Sequence, residues 1–128
     1  MKPFLHSQSP LHKEATLQMR CVRYWRTRYR PNQDEYYLLY KVHNEGKKSK
    51  YQAARDKALG IVAGAADINI DLPRHGYNGL RIEFKTLKGK QTTQQKRVQI
   101  ALEKNGYLYK VIQTFEDFVE LINWYLQD

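Results

Sequence analysis

"GLRIEFK", residues 79–85, alternates apolar Leu80, Ile82 and Phe84 with charged Arg81, Glu83 and Lys85. A period of two is the pattern of a β-strand with one buried face. It places Glu83 and Lys85 together on the other face, where an exposed ion pair contributing about 0–1 kcal/mol would be the ordinary reason for them. Just upstream, "AGAADINIDL", residues 63–72, repeats the alternation, with Ile68, Ile70 and Leu72 on one side and Asp67, Asn69 and Asp71 on the other. "PRHGYNG", residues 73–79, separates the two runs. Its glycines and proline predict an antiparallel pair joined by a loop longer than the tightest hairpins.

Working outward, Ser9-Pro10 reads as an N-cap followed by proline at the first helical position, and Pro31 as a stop, which predicts a helix over 10–30. Leu11, Ala15, Val22, Trp25 and Tyr29 share one side of it, yet Glu14 and Gln18 interrupt that side where apolar residues are expected. "YYLLYKVH", residues 36–43, reads as a buried strand whose tyrosines pack in the core, ending near the turn chemistry of "NEGKKS". Ser49 caps a short helix to about Leu59, which Gly60 ends. Thr92 and Gln95 have capping-box spacing for a helix to about Lys104, closed by Asn105-Gly106. "YLYKVI", residues 107–112, is a fourth strand, and Thr114 caps a last helix that turns Phe115, Phe118, Val119, Ile122 and Tyr125 inward. The order α, β, α, β, β, α, β, α, without linker or repeat, predicts one α/β domain over 1–128 with a mixed sheet of about four strands flanked by helices, and a flexible segment over 1–9.

Lys and Arg number 22 against 13 Asp and Glu, a formal charge of +9, which attracts polyanions. Residues 10–31 hold Lys13, Arg20, Arg23, Arg26, Arg28 and Arg30 against Glu14 alone, and 85–104 hold Lys85, Lys88, Lys90, Lys96, Arg97 and Lys104 against Glu103. A helix so basic, with almost no acidic partner for i,i+4 pairing, points to phosphate contact. Cys21 is the single cysteine, so no internal disulfide or thiolate zinc cluster is available, and a reducing, cytoplasmic setting is expected. No run approaches the roughly 18 apolar residues of a membrane span. His6, His12, His43 and His75 have no metal-ligand spacing.

If the strands at 68–72 and 80–84 pair, Asp67, Glu83 and Lys85 converge near the bend at 64–67. Two close carboxylates repel unless a proton or cation sits between them, and oxygen donors of this kind suit Mg²⁺ or Mn²⁺. A lysine beside them can orient a water. Asp followed sixteen residues later by Glu-x-Lys resembles the PD-(D/E)XK nuclease superfamily. The flanking "VHNEGKKS", "AARDKALGIVAGAAD", "GYNGLRIEFKTLKGKQTTQQK" and "NGYLYKVIQTFEDFVELINWYL" are together similar to the VRR-Nuc family of virus-type replication and repair nucleases, over about residues 10–126.

That resemblance implies a restriction-endonuclease-like core, with Asp67, Glu83 and the Phe84 carbonyl holding Mg²⁺ or Mn²⁺ and Lys85 as the catalytic lysine. Glu14 matches the family's acidic residue on the first helix, reaching the metal directly or through water, and Gln18 extends that motif. It implies a metal-dependent endonuclease of phage or prophage type, acting as a homodimer on branched DNA such as four-way junctions, without a nucleotide cofactor. Gln18, Arg20, Arg23, Lys47, Lys48, Lys50, Arg55, Gln95 and Lys96 are the expected DNA contacts. Ala66 and His43 stand where the family often has proline. The competing readings are a non-catalytic basic module that binds nucleic acid, and a nuclease acting on linear or flap DNA.

Overall fold

A computed structural model describes residues 10–42 and 49–127. The chain runs α1 (Pro10–Arg28), a 3-10 helix (Asp34–Leu38), β1 (Leu39–Lys41), α2 (Lys50–Ala58), β2 (Ile68–Ile70), β3 (Leu80–Phe84), α3 (Thr93–Lys104), β4 (Leu108–Ile112) and α4 (Phe115–Tyr125). The strands form one mixed sheet in the order β1-β2-β3-β4. β1 and β2 pair antiparallel, as do β2 and β3, whereas β3 and β4 are parallel because α3 returns the chain to the same end. The expected α/β fold with a four-stranded mixed sheet is the one found. The segment 1–9 expected to be flexible lies outside the described residues.

The apolar alternation builds the core. Leu39, Ile68, Ile70, Leu80, Ile82, Phe84 and Ile112 are buried from the sheet, against Cys21 and Trp25 of α1 and Phe118, Ile122 and Tyr125 of α4. Tyr24 of α1 meets Phe115 and Phe118 of α4 edge-on, at centroid distances of 5.8 and 6.2 Å. Tyr125, fully buried, donates its hydroxyl hydrogen to the Leu72 carbonyl at 2.7 Å. On the opposite face α3 packs against β4, and Glu83 of β3 is buried there, bonded by Tyr109 and Gln91.

Residues 36–38 depart from the strand expected over 36–43. Trp25 Nε1 donates to the Glu35 carbonyl at 2.9 Å and the Tyr37 hydroxyl to the Pro31 carbonyl at 2.8 Å, and these two bonds hold a tight 3-10 turn where an extended strand was expected. Only Leu39 to Lys41 are left to pair. The tyrosines therefore do not fill the core: Tyr37 is 63% exposed and Tyr40 41%. The other ends follow the sequence closely. Ser49, Thr92 and Thr114 each accept a hydrogen bond from a backbone N–H three residues on, and Gln95 completes the capping box at Thr92.

Gly64 sets the approach of β2 to α3. Its φ is +84°, and a Cβ there would lie 2.7 Å from the Gln94 carbonyl carbon, so glycine alone allows this close backbone contact. Among the described residues, no helix is long and apolar enough to cross a membrane.

Candidate active site

The antiparallel register that sets Ile68 opposite Ile82 continues by one step to bring Asp67 opposite Glu83. β2 ends there, and the Asp67 carboxylate replaces the missing strand partner by accepting from the Phe84 backbone N–H at 2.7 Å. The next N–H, that of Lys85, points the other way, to the Ile112 carbonyl at 3.1 Å. Both backbone groups of one strand residue face the same neighbour, so the Phe84 carbonyl also lies on the Asp67 side.

Glu83 is fully buried. Its Oε1 accepts from the Tyr109 hydroxyl at 2.5 Å and from Gln91 Nε2 at 3.3 Å. Its Oε2 has no hydrogen-bond partner, and Lys85 Nζ stands 3.7 Å from it. The exposed ion pair that the alternation allowed is thus excluded: the Glu83 side chain is 1% exposed and that of Lys85 13%. Taking a carboxylate out of water costs several kcal/mol unless its partners compensate, and a second carboxylate nearby adds to that cost. Burial first, and the Glu83 and Glu14 charges after it, push the Asp67 carboxyl above the usual aspartate range, against the opposing pull of the Phe84 N–H and of Lys41. Burial and the Glu83 carboxylate likewise push the Tyr109 hydroxyl up, so it remains a donor.

These residues fit a hard divalent cation. An unpartnered buried carboxylate oxygen, a second carboxylate strained by its charge and a carbonyl between them are the oxygen donors Mg²⁺ and Mn²⁺ take. Among the described residues, no three His, Cys, Asp or Glu side chains converge as a metal group, so Glu14 does not complete a three-carboxylate set. It lines instead a cleft of about 650 Å³ that Lys85 also lines, with Lys13, Arg20 and Lys88 around it. Asp67, Glu83 and Phe84 therefore form the inner cluster, and Glu14 lines the cleft that Lys85 also lines.

The expected DNA contacts scatter. Arg20 lines the cleft, its guanidinium 4.0 Å from the centre of the Phe115 ring. Gln18 is half-buried on α1, and Arg23, Lys50, Arg55 and Lys96 are exposed on α1, α2 and α3. Gln95 Oε1 is occupied by the Thr92 N–H at 2.8 Å, which makes this side chain a helix cap before it is anything else. Lys47, Lys48 and His43 lie outside the described residues. Asp71, a solvated or turn residue by its sequence position, is exposed but bound by Arg81 at 3.0 Å and by the Tyr40 hydroxyl at 2.8 Å. Tyr109 and Gln91 were not marked by the sequence; one reads as a strand aromatic and the other as loop polarity, and neither pattern names a partner.

No protein-family model and no curated protein matches the chain. Solved structures do. One, titled "VRR_NUC domain protein", is 24% identical, with 95% of this chain and 91% of that one covered at a TM-score of 0.77. Another, titled "VRR_NUC domain", is 22% identical, with 88% and 97% covered at a TM-score of 0.56. The fold expected from the Asp67, Glu83 and Lys85 pattern and its flanking motifs is the fold found: this chain is built as solved VRR_NUC domains are built.

Proposed function

We propose that the chain is a nuclease of the VRR-Nuc type, a Mg²⁺- or Mn²⁺-dependent endonuclease that hydrolyses phosphodiester bonds in DNA. The observation that carries this reading is the buried Glu83 Oε2, with no hydrogen-bond partner, beside Lys85 and opposite Asp67. A binding module has no use for a fully buried carboxylate beside a half-buried one, which oppose an anionic ligand. Bound by Asp67, Glu83 and the Phe84 carbonyl, a divalent cation would supply charge neutralisation at a phosphate oxygen and a water of lowered pKa.

The chain's own groups do the rest. Lys85 reaches from the buried cluster into the cleft, where its ammonium holds the attacking water in line with the phosphorus. Arg20, Lys13 and Lys88 line the same cleft and hold the flanking phosphates. Hydrolysis forms one P–O bond to the water oxygen and breaks one to a sugar oxygen; a proton passes from the water to solvent, and another reaches the leaving oxygen. Glu14, which lines the same cleft as Lys85, orders water there.

A formal charge of +9 and the basic α1 support a DNA substrate. Our preferred substrate is branched DNA, such as a four-way junction, cut by a homodimer whose two-fold axis matches paired symmetric cuts. The test is incubation of wild type and Lys85→Ala with a labelled four-way junction and a matched linear duplex, with Mg²⁺ or EDTA. Metal-dependent cutting of the junction, lost in the variant, is expected. Binding of both DNAs by wild type without cutting would make the protein a basic adaptor.

A further inference from the structure

A carboxylate that only had to hold a metal would need no donor on its second oxygen, yet Glu83 has two. Tyr109 is 4% exposed and shares the α3-facing side of the sheet with Glu83, since β3 and β4 run parallel with Arg81 opposite Tyr109. Its hydroxyl and Gln91 Nε2 both reach Oε1. Gln91 Nε2 is anchored in turn on Gln99 Oε1 at 2.8 Å, and Gln99 Nε2 on Glu103 Oε2 at 3.2 Å, a chain of side chains running along α3. One oxygen of Glu83 is therefore committed and the other is bare.

The ionic preference follows from that asymmetry. Ca²⁺ takes 6 to 8 oxygens in loose geometry, often both oxygens of one carboxylate, whereas Mg²⁺ demands near-octahedral single oxygens at about 2.0–2.1 Å. A Glu83 pinned through Oε1 offers Oε2 alone. We propose that Tyr109, with Gln91 beside it, is a positioning residue that makes Glu83 a one-oxygen ligand, so that the Asp67–Glu83 site prefers Mg²⁺ and Mn²⁺ over Ca²⁺. This rests on the metal-dependent reading above and adds to it the source of metal choice.

The test measures binding to the DNA-free protein, by titration of Mn²⁺ and separately of Ca²⁺. Tyr109→Phe removes the hydroxyl and keeps the ring. Outer-shell partners of this kind are worth about 10- to 100-fold in metal affinity, so the Mn²⁺ dissociation constant should rise by at least about tenfold. Freed to turn both oxygens to the ion, Glu83 should hold Ca²⁺ with a smaller loss or a gain, and the preference for Mn²⁺ over Ca²⁺ narrows. Tyr125→Phe loses a comparably buried hydroxyl bond, to the Leu72 carbonyl on the other side of the sheet, and should leave both constants alone. Gln91→Leu removes only the second donor and should shift the preference in the same direction by less, which keeps the test alive if Tyr109→Phe does not fold.

Equal losses for both ions, or no change with either variant while wild type binds Mn²⁺, would overturn the positioning role and leave the metal site standing. Failure of wild type to bind Mn²⁺ would overturn the metal-dependent reading and this inference together.

Discussion

Asp67→Asn should invert the order of stability between metal-free and metal-loaded protein. The Asn carbonyl oxygen can accept the same bond from the Phe84 N–H that Asp67 Oδ2 accepts at 2.7 Å, so the change removes a charge and keeps the hydrogen bond. Burial and the neighbouring Glu83 and Glu14 hold the Asp67 carboxyl above its ordinary value of 3.8. The folded state therefore keeps this proton to higher pH than the unfolded chain, and ionising Asp67 lowers stability as pH rises through that window. Removing such functional strain commonly returns about 0.5–2 kcal/mol. For a chain of this size that is a rise in Tm of about 2–8 °C in EDTA at neutral pH. The advantage should shrink on acidification and vanish below 3.8, where both states of wild type are protonated. With Mg²⁺ or Mn²⁺ at about 100 times its dissociation constant, wild type gains about 2.7 kcal/mol that the variant does not, and the order reverses. Thermal melts of both proteins across pH, with EDTA or metal, read this directly. A variant less stable than wild type in EDTA at neutral pH would refute the strain argument, and equal metal-induced shifts would refute Asp67 as a ligand.

Gly64→Ala should cost more than Gly76→Ala: both glycines have positive φ, at about 1–2 kcal/mol for a side chain there, but only Gly64 also faces backbone at 2.7 Å. Equal denaturant midpoints for the two variants would remove the close contact as a constraint. Cys21 is fully buried and burial pushes its thiol up to about 12, so native protein at neutral pH should resist alkylation until it unfolds. Fast labelling without unfolding would contradict that burial. Replacing Arg23 and Arg26, both exposed on α1, should flatten the salt dependence of DNA binding by about one unit of log–log slope per lost phosphate contact. An unchanged slope would make that face of α1 a solvated one.

The parts of the fold written in local chemistry were legible in the sequence. The alternation at 68–72 and 80–84 marks the strand pair, and Ser49, Thr92 and Thr114 mark helix starts because a cap needs only a side-chain oxygen and an N–H three residues away. Residues 36–38 were misread because aromatic density suits a strand, whereas the deciding bonds come from Trp25 and Pro31, outside the run. At the site, Asp67, Glu83 and Lys85 were visible as a pattern, yet nothing in "RIEF" shows that Glu83 is buried. Alternation says which residues oppose one another, and it cannot say that α3 and Gln91 cover the second face. Tyr109 was hidden for the same reason, since its hydroxyl finds its partner 26 residues away across a parallel strand pair. Glu14 was assigned to the site from the resemblance, with the polar break in the apolar stripe consistent with it; it lines the same cleft as Lys85, and no three-carboxylate group forms among the described residues.

The central claim is that the fully buried Glu83 and the half-buried Asp67 lie together because they hold a cation between them. A crystal of the protein grown with millimolar Mn²⁺ and measured for anomalous scattering tests it most directly. The expected result is a peak within about 2.5 Å of Glu83 Oε2 and an Asp67 carboxylate oxygen, with the Phe84 carbonyl alongside. Density for an ordered site without such a peak, with Lys85 moved onto Glu83 to neutralise it, would contradict the account and make the pair a buried salt bridge.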